Sequence, residues 1–248
     1  MKSLSIIIPA YNEENRILPT LKALDDFFRK NNFSYEIIIV NDGSLDSTVK
    51  VVEECRKSNP NLHLKLANLE RNMGKGMAVK KGIEEAQHDI IMFFDADLSC
   101  EPSNIKRAFS YFENPDIDIV IGDRNHKDSE IVNPPSFLRR ISGKIYAWMV
   151  GKFILKGITD SQCGFKVFRK EAAKRIFRKT TIPRFGFDVE LLYIANKANF
   201  RIMKMPVRCI NSPGSRVKVI SDSLVMFKDL FIIKANDRKG LYDNIGKY

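Results

Sequence analysis

The chain has 248 residues, enough for one sizeable α/β core and too few for two full-sized domains. With 44% hydrophobic and 29% charged residues, and only 13 Gly and 10 Pro, its composition excludes a disordered, collagenous or low-complexity chain. A net charge of +11 fits an anionic partner such as nucleic acid, an acidic membrane or a phosphorylated substrate, and equally a solvated basic surface with no partner.

In chain order, the apolar run at residues 4–8 ends at Pro9, and that at residues 35–40 ends at Asn41-Asp42-Gly43. Both read as buried parallel strands. Between them, Ile17, Leu21, Leu24 and Phe28 recur at helical spacing, and Val49, Val52 and Cys55 repeat that behaviour after the second run. A strand at 62–66, a helix at 75–86, a strand at 90–94, a helix begun by Pro102 and a strand at 117–121 continue the alternation. The pattern predicts an α/β, doubly wound open sheet, whose ligands sit beyond the carboxyl ends of the strands.

After Gly122 the alternation stops. Residues 134–155 predict a long helix that is basic at Arg139, Arg140 and Lys144 and aromatic at Phe137, Tyr146, Trp148 and Phe153. It reads equally as a core helix with a solvated basic stripe and as a surface for an amphiphilic partner. Strands near 165–168 and 202–207 and helices at 170–177 and 187–197 follow, with a last helix over 222–235. The expected division is one α/β domain over 1–212 and a C-terminal amphipathic helix and tail over 213–248.

The four cysteines, at 55, 100, 163 and 209, include no close pair in sequence, so neither a CxxC motif nor a zinc knuckle is drawn from them. They suggest a reducing compartment. Without a cleavage-site pattern or an apolar run near the roughly 20 residues of a membrane span, the expectation is a cytoplasmic protein that neither is secreted nor spans a bilayer.

Chemistry concentrates at the predicted strand ends: Pro9 to Glu14, Asn41-Asp42-Gly43-Ser44 with Asp46, and Asp95-Ala96-Asp97. Three acidic tips on one sheet edge call for a cation or ligand hydrogen bonds, which a metal and a nucleotide would supply. Asp95 and Asp97, after a wholly apolar strand, suit a hard divalent ion, Mg²⁺ or Mn²⁺, bridging a diphosphate. Gly74, Lys75 and Gly76 open a helix, where backbone or ammonium contact with phosphate is one reading and an ordinary helix-start turn the other.

Pro9-Ala10-Tyr11-Asn12-Glu13, Asn41-Asp42-Gly43-Ser44 with Asp46 and Thr48, Asn72-Met73-Gly74-Lys75-Gly76 and Asp95-Ala96-Asp97 stand in the order and rough spacing of the family 2 glycosyltransferases, which the chain resembles over nearly its whole length. Residues 158–166, which include Asp160-Ser161-Gln162-Cys163-Gly164, and 187–192, which include Asp188 and Glu190, look like the branch acting on polyprenyl phosphates. Within it they are most similar to the dolichyl-phosphate β-glucosyltransferases, with the mannosyltransferases as close relatives.

The resemblance implies a GT-A fold and inverting transfer from a nucleotide sugar, UDP favoured over GDP, to a polyprenyl or dolichyl phosphate. Pro9, Tyr11, Glu13 and Asp42 would line the base and ribose, and Asp95 and Asp97 would take the metal and diphosphate. Ser99 stands where mannosyltransferase relatives often carry a Gln ligand. Asp160 is the first choice to orient the acceptor, with Asp188 and Glu190 behind it, and Arg124, Arg139 and Arg140 are candidates to hold the acceptor phosphate. Membrane contact would be peripheral, by an amphipathic surface or a membrane-protein partner. No helix-turn-helix, zinc finger or basic aromatic sheet motif supports nucleic-acid binding. Transfer of mannose or another sugar, or transfer to a non-lipid acceptor, is the runner-up.

Overall fold

The computed structural model describes residues 2–134, 137–210 and 219–246; of Lys2, Leu138, Arg139 and residues 219–222 it describes the backbone alone. Its elements in chain order are β1 (Lys2–Ala10), α1 (Ile17–Lys30), β2 (Phe33–Asn41), α2 (Thr48–Ser58), β3 (Leu64–Asn68), α3 (Lys75–Glu85), β4 (Ile90–Phe93), α4 (Ser103–Tyr111) and β5 (Ile119–Asp123). Then follow β6 (Glu130–Val132), α5 (Phe137–Phe153), β7 (Lys166–Arg169), α6 (Lys170–Lys179), α7 (Phe187–Lys197), β8 (Ile202–Pro206), β9 (Arg208–Ile210) and α8 (Val219–Arg238).

Seven strands form one sheet in the order β3-β2-β1-β4-β7-β5-β8. All pairings are parallel except those of β7, which runs antiparallel between β4 and β5. Alternation along the strands divides the core into two layers: Ile6 and Ile8 pack on one face, and Ile7 on the other. The first layer is closed by α1, whose Ile17, Leu21, Leu24 and Phe28 are all buried as their spacing predicts. That helix ends where the Asn31 side-chain amide donates to the Phe27 carbonyl at 2.8 Å.

The second layer includes Tyr146 and Val150 of α5 and Leu230 and Ile233 of α8, with Tyr242 and Ile245 beyond it, so α8 and the described residues after it share a core with the sheet. The alternation does stop after β5, but it gives way to a second, two-stranded parallel sheet of β6 and β9, which the sequence pattern misses. Each of its strands has only three residues, too few for a period to register.

Candidate functional site

The parallel strands β1, β2 and β4 end at one edge of the sheet, and the loops beyond them carry the acidic tips. Beyond β1, Asn12 takes a left-handed backbone (φ 55°) and accepts from the Leu45 amide at 2.8 Å, while its own N–H donates to Ser44 Oγ at 2.9 Å. The Glu13 amide donates to Thr48 Oγ1, so the loops after β1 and β2 are tied into one surface. Pro9 lies within β1 opposite Val40, and Tyr11 is half-buried just past the strand. The Glu13 carboxylate is clasped by Arg16, whose Nε and Nη2 each donate at 2.6 Å.

Asp42 is buried and accepts from the amides of Met73 and Gly74 at 2.6 and 2.9 Å. Burial raises its pKa, against the pull of those amides. Gly43, at φ +67°, lets the chain pass beneath that loop, since a Cβ there would lie 2.5 Å from the Arg71 carbonyl carbon.

The same contacts correct the phosphate reading of Gly74. Its N–H is given to Asp42, and the N–H of Gly76 donates to the Pro183 carbonyl at 2.8 Å, so neither is left for a phosphate. The ordinary helix-start turn describes these glycines. The Lys75 ammonium instead bonds Asp95 at 2.6 Å. Burial works against the charge of both groups, but their attraction prevails, holding the lysine pKa up and the carboxyl pKa down.

Asp95 and Asp97 follow β4. Ser99 Oγ lies 3.4 Å from Asp95, its amide donates to Asp97 at 3.1 Å, and Arg16 Nη1 stands 3.8 Å from Asp97. Charge balance at this edge is therefore met in large part by the chain's own Lys75 and Arg16, and does not by itself demand a metal. The donor chemistry does fit one: two carboxylates and a hydroxyl, all hard oxygen ligands, with a quarter of each carboxylate side chain still accessible.

Behind this edge lies the 160–164 turn. Gly164 presses so closely on Asp95 that a Cβ would fall 2.0 Å from its Oδ2. Asp160 is buried and receives three bonds from Arg124, from the backbone N–H, Nε and Nη2 at 3.0, 2.7 and 2.8 Å. Burial would raise its pKa, yet the Arg124 pair outweighs it and holds the carboxyl below the usual range. Asp188, on α7, is bonded by Lys166 at 2.6 Å; that lysine is fully buried and also donates to the Cys163 carbonyl. Burial raises the Asp188 pKa, with Lys166 and Lys75 opposing.

Two expectations for this region change. Glu190 does not stand free behind Asp160, because both of its oxygens are taken by the amides of Thr181 and Ile182 and the hydroxyls of Thr181 and Tyr242. Arg124 is committed to Asp160 rather than standing alone for an acceptor, though 43% of its side chain remains exposed. Arg140 is exposed on the first turn of α5, and the side chain of Arg139 lies outside the described residues.

Sequence reasoning also missed Arg16 and Lys166. The second had a signal: a lysine inside the apolar run Phe165-Lys166-Val167-Phe168 is buried only if paired.

An open, mostly parallel sheet with an acidic nucleotide-type edge and one antiparallel strand inserted beside β4 is the architecture of the GT-A glycosyltransferases. Residues 5–177 match the family described as Glycosyl transferase family 2, and the chain belongs to that family. It is thus a hexose-transferring enzyme by class.

Among curated relatives, the Dictyostelium discoideum dolichyl-phosphate beta-glucosyltransferase is 40% identical over 96% of this chain and 76% of its own length. The Homo sapiens protein of that name is 32% identical over 94% and 75%. Among solved structures, glucosyl-3-phosphoglycerate synthase from Mycobacterium tuberculosis in complex with Mg²⁺ and UDP superposes with a TM-score of 0.70 at 15% identity, covering 94% of this chain and 79% of that one. S. aureus TarS 1-349 in complex with UDP-GlcNAc superposes at 0.60 and 20% identity, covering 95% and 67%.

Proposed function

We propose that this enzyme transfers glucose from UDP-glucose to dolichyl phosphate or another polyprenyl phosphate, with inversion, at the cytosolic face of a membrane that it contacts peripherally. The observation that carries the reading is the 40% identity over 96% of the chain to a protein named for glucose transfer to dolichyl phosphate. UDP in solved structures of the same fold supports the choice of nucleotide.

Pro9, Tyr11, Glu13 and Asp42 line the nucleotide side, with Asp42 fixing the loop that carries Lys75. Asp95 and Asp97 are the residues that hold Mg²⁺ or Mn²⁺, with Ser99 beside them. The ion, when bound, supplies electrostatic stabilisation of the departing diphosphate.

A phosphate monoester is already anionic near neutral pH, with a second pKa of about 6, so the acceptor needs orientation more than deprotonation. That suits Asp160, a poor base whose carboxyl is held below its usual range by Arg124. It acts as a positioning residue, presenting the guanidinium to the acceptor phosphate. The Asp188–Lys166 pair acts on Asp95 through its charges, Lys166 favouring the ionised Asp95 carboxylate, and Glu190 works at a further remove by holding the 181–182 segment.

The test is incubation of labelled UDP-glucose, UDP-GlcNAc and GDP-mannose with a short polyprenyl phosphate and Mg²⁺ or Mn²⁺, followed by extraction into organic solvent. The expected lipid label comes from UDP-glucose, and disappears with EDTA and in the Asp97→Asn variant while circular dichroism stays unchanged. Label from GDP-mannose alone would make the enzyme a mannosyltransferase, and no lipid label from any donor would overturn the acceptor.

A further inference from the structure

Three of the four cysteines, far apart in sequence, meet in the interior. Cys100, Cys163 and Cys209 are all buried, and their Sγ atoms lie within 4.8 Å of one another. Each comes from a different part of the fold. Cys100 stands three residues after Asp97, Cys163 three after Asp160, and Cys209 lies in β9.

The backbone brings two of them together deliberately. Cys100 and Cys209 form an antiparallel bridge, framed by the Ile210 amide donating to the Ser99 carbonyl at 2.9 Å and the Glu101 amide to the Arg208 carbonyl at 3.1 Å. Residues so framed are a non-hydrogen-bonded pair, the arrangement in which facing side chains come closest. Cys163 approaches from the 160–164 turn, and Gly122 makes room for its sulfur, since a Cβ there would lie 2.8 Å from it.

We propose that these three thiols form a binding site for one thiophilic d¹⁰ cation, of the Zn²⁺ or Cu⁺ class, separate from the oxygen-donor edge of Asp95 and Asp97. Three sulfurs bonded at about 2.3 Å to one zinc ion stand about 3.8 Å apart, so the thiols reach that arrangement by small side-chain adjustments. Soft sulfur donors select against Mg²⁺ and Mn²⁺, which keeps the two sites chemically distinct. Binding releases the thiol protons; the guanidinium of Arg124 favours the resulting charge at Cys163 and Cys209, while the Asp160 carboxylate paired with it opposes that charge at Cys163. An ion here would staple the loop carrying Asp97 to the turn carrying Asp160 and to β9.

The test uses the intact, reduced protein under anaerobic conditions and does not read activity. Cd²⁺ serves as the spectroscopic probe for Zn²⁺, because only sulfur ligation gives a thiolate-to-cadmium charge-transfer band; carboxylate binding at Asp95 and Asp97 is silent in that window. The band is expected to saturate at one equivalent, to persist in Cys55→Ser, and to be lost in Cys100→Ser, Cys163→Ser and Cys209→Ser. In the unmutated protein, at a urea concentration that lets the reagent reach the buried thiols, Cd²⁺ or Zn²⁺ should protect three of them from alkylation, with Cu⁺ as a parallel arm, so the outcome does not depend on the variants folding. A band that fails to saturate at one equivalent, or equal alkylation with and without metal, would overturn the site.

Discussion

Asp188 and Glu190 stand two residues apart on α7 and answer to opposite demands. Asp188 is matched by one buried lysine, whereas Glu190 is matched by four neutral donors that pin the 181–182 segment and Tyr242 around it. Glu190→Gln tests that difference, because either placement of the amide turns an NH₂ group toward donors. The variant should lose about 1–3 kcal/mol in urea unfolding, and a loss well below that would mean the carboxylate is not needed as an acceptor. Asp229, on α8, is the converse: buried, with one oxygen lacking a hydrogen bond, and pushed up to about 6 by burial and by the charge of Glu190. Its unfolded value is about 3.9, so between about pH 4 and 6 the folded state binds the extra proton and stability falls as pH rises. Above that window the ionised group is a net cost. Asp229→Asn should therefore be more stable than the parent at pH 7.5, by ~1 kcal/mol after allowing for partial solvation, and lose that advantage at pH 4.5. An equal slope of stability against pH in both proteins would show that another group titrates.

At the scale of elements, what the sequence discloses depends on how local the determining forces are. The strands β1, β2 and β4 and helix α1 are legible because a buried run and a 3.6-residue repeat are imposed on consecutive residues. The acidic tips follow from the strands that present them. By contrast, β6 and β9 exist only through each other, and the cysteine cluster through a bridge between residues 100 and 209. The commitment of Gly74 to Asp42 and of Glu190 to residues 181–182 likewise depends on partners that no spacing discloses. The stretch from α5 falls between these cases. Its Tyr146 and Val150 join the core as a packed helix requires, while Phe137, Ile145, Trp148 and Phe153 remain exposed, as do Leu224 and Phe231 on α8, which packs beside it. No helix among the described residues is long and apolar enough to cross a membrane. The exposed aromatics instead suit shallow insertion. Trp148→Ser combined with Phe231→Ser should weaken vesicle binding about a hundredfold, at roughly 1.5 kcal/mol or more per aromatic, without altering circular dichroism. Unchanged flotation would place the membrane contact elsewhere.

Across the whole molecule, the proposed membrane contact would draw on both the +11 charge and this apolar face, and the two differ in how salt affects them. Arg140, Lys144 and Lys152 are exposed on α5 and Lys228 on α8, with Lys152 lying 4.9 Å above the Trp148 ring, so charge and aromatic surface coincide. Each basic residue near an anionic surface contributes about 1 kcal/mol, an attraction screened beyond about 10 Å at 0.1 M salt. Burial of Trp148 and Phe231 in acyl chains is not screened. Flotation with phosphatidylserine vesicles should therefore exceed that with neutral vesicles at low salt, and raising the salt should close the gap without abolishing binding to either. Arg140→Gln with Lys144→Gln should weaken binding to anionic vesicles about thirtyfold at low salt and leave neutral-vesicle binding unchanged. The Trp148→Ser, Phe231→Ser protein should behave in the opposite way, with residual binding that only anionic lipid supports and that salt removes. Equal recovery from neutral and anionic vesicles at low salt would remove the electrostatic part, and the basic surface would then serve only the phosphate chemistry of the substrates.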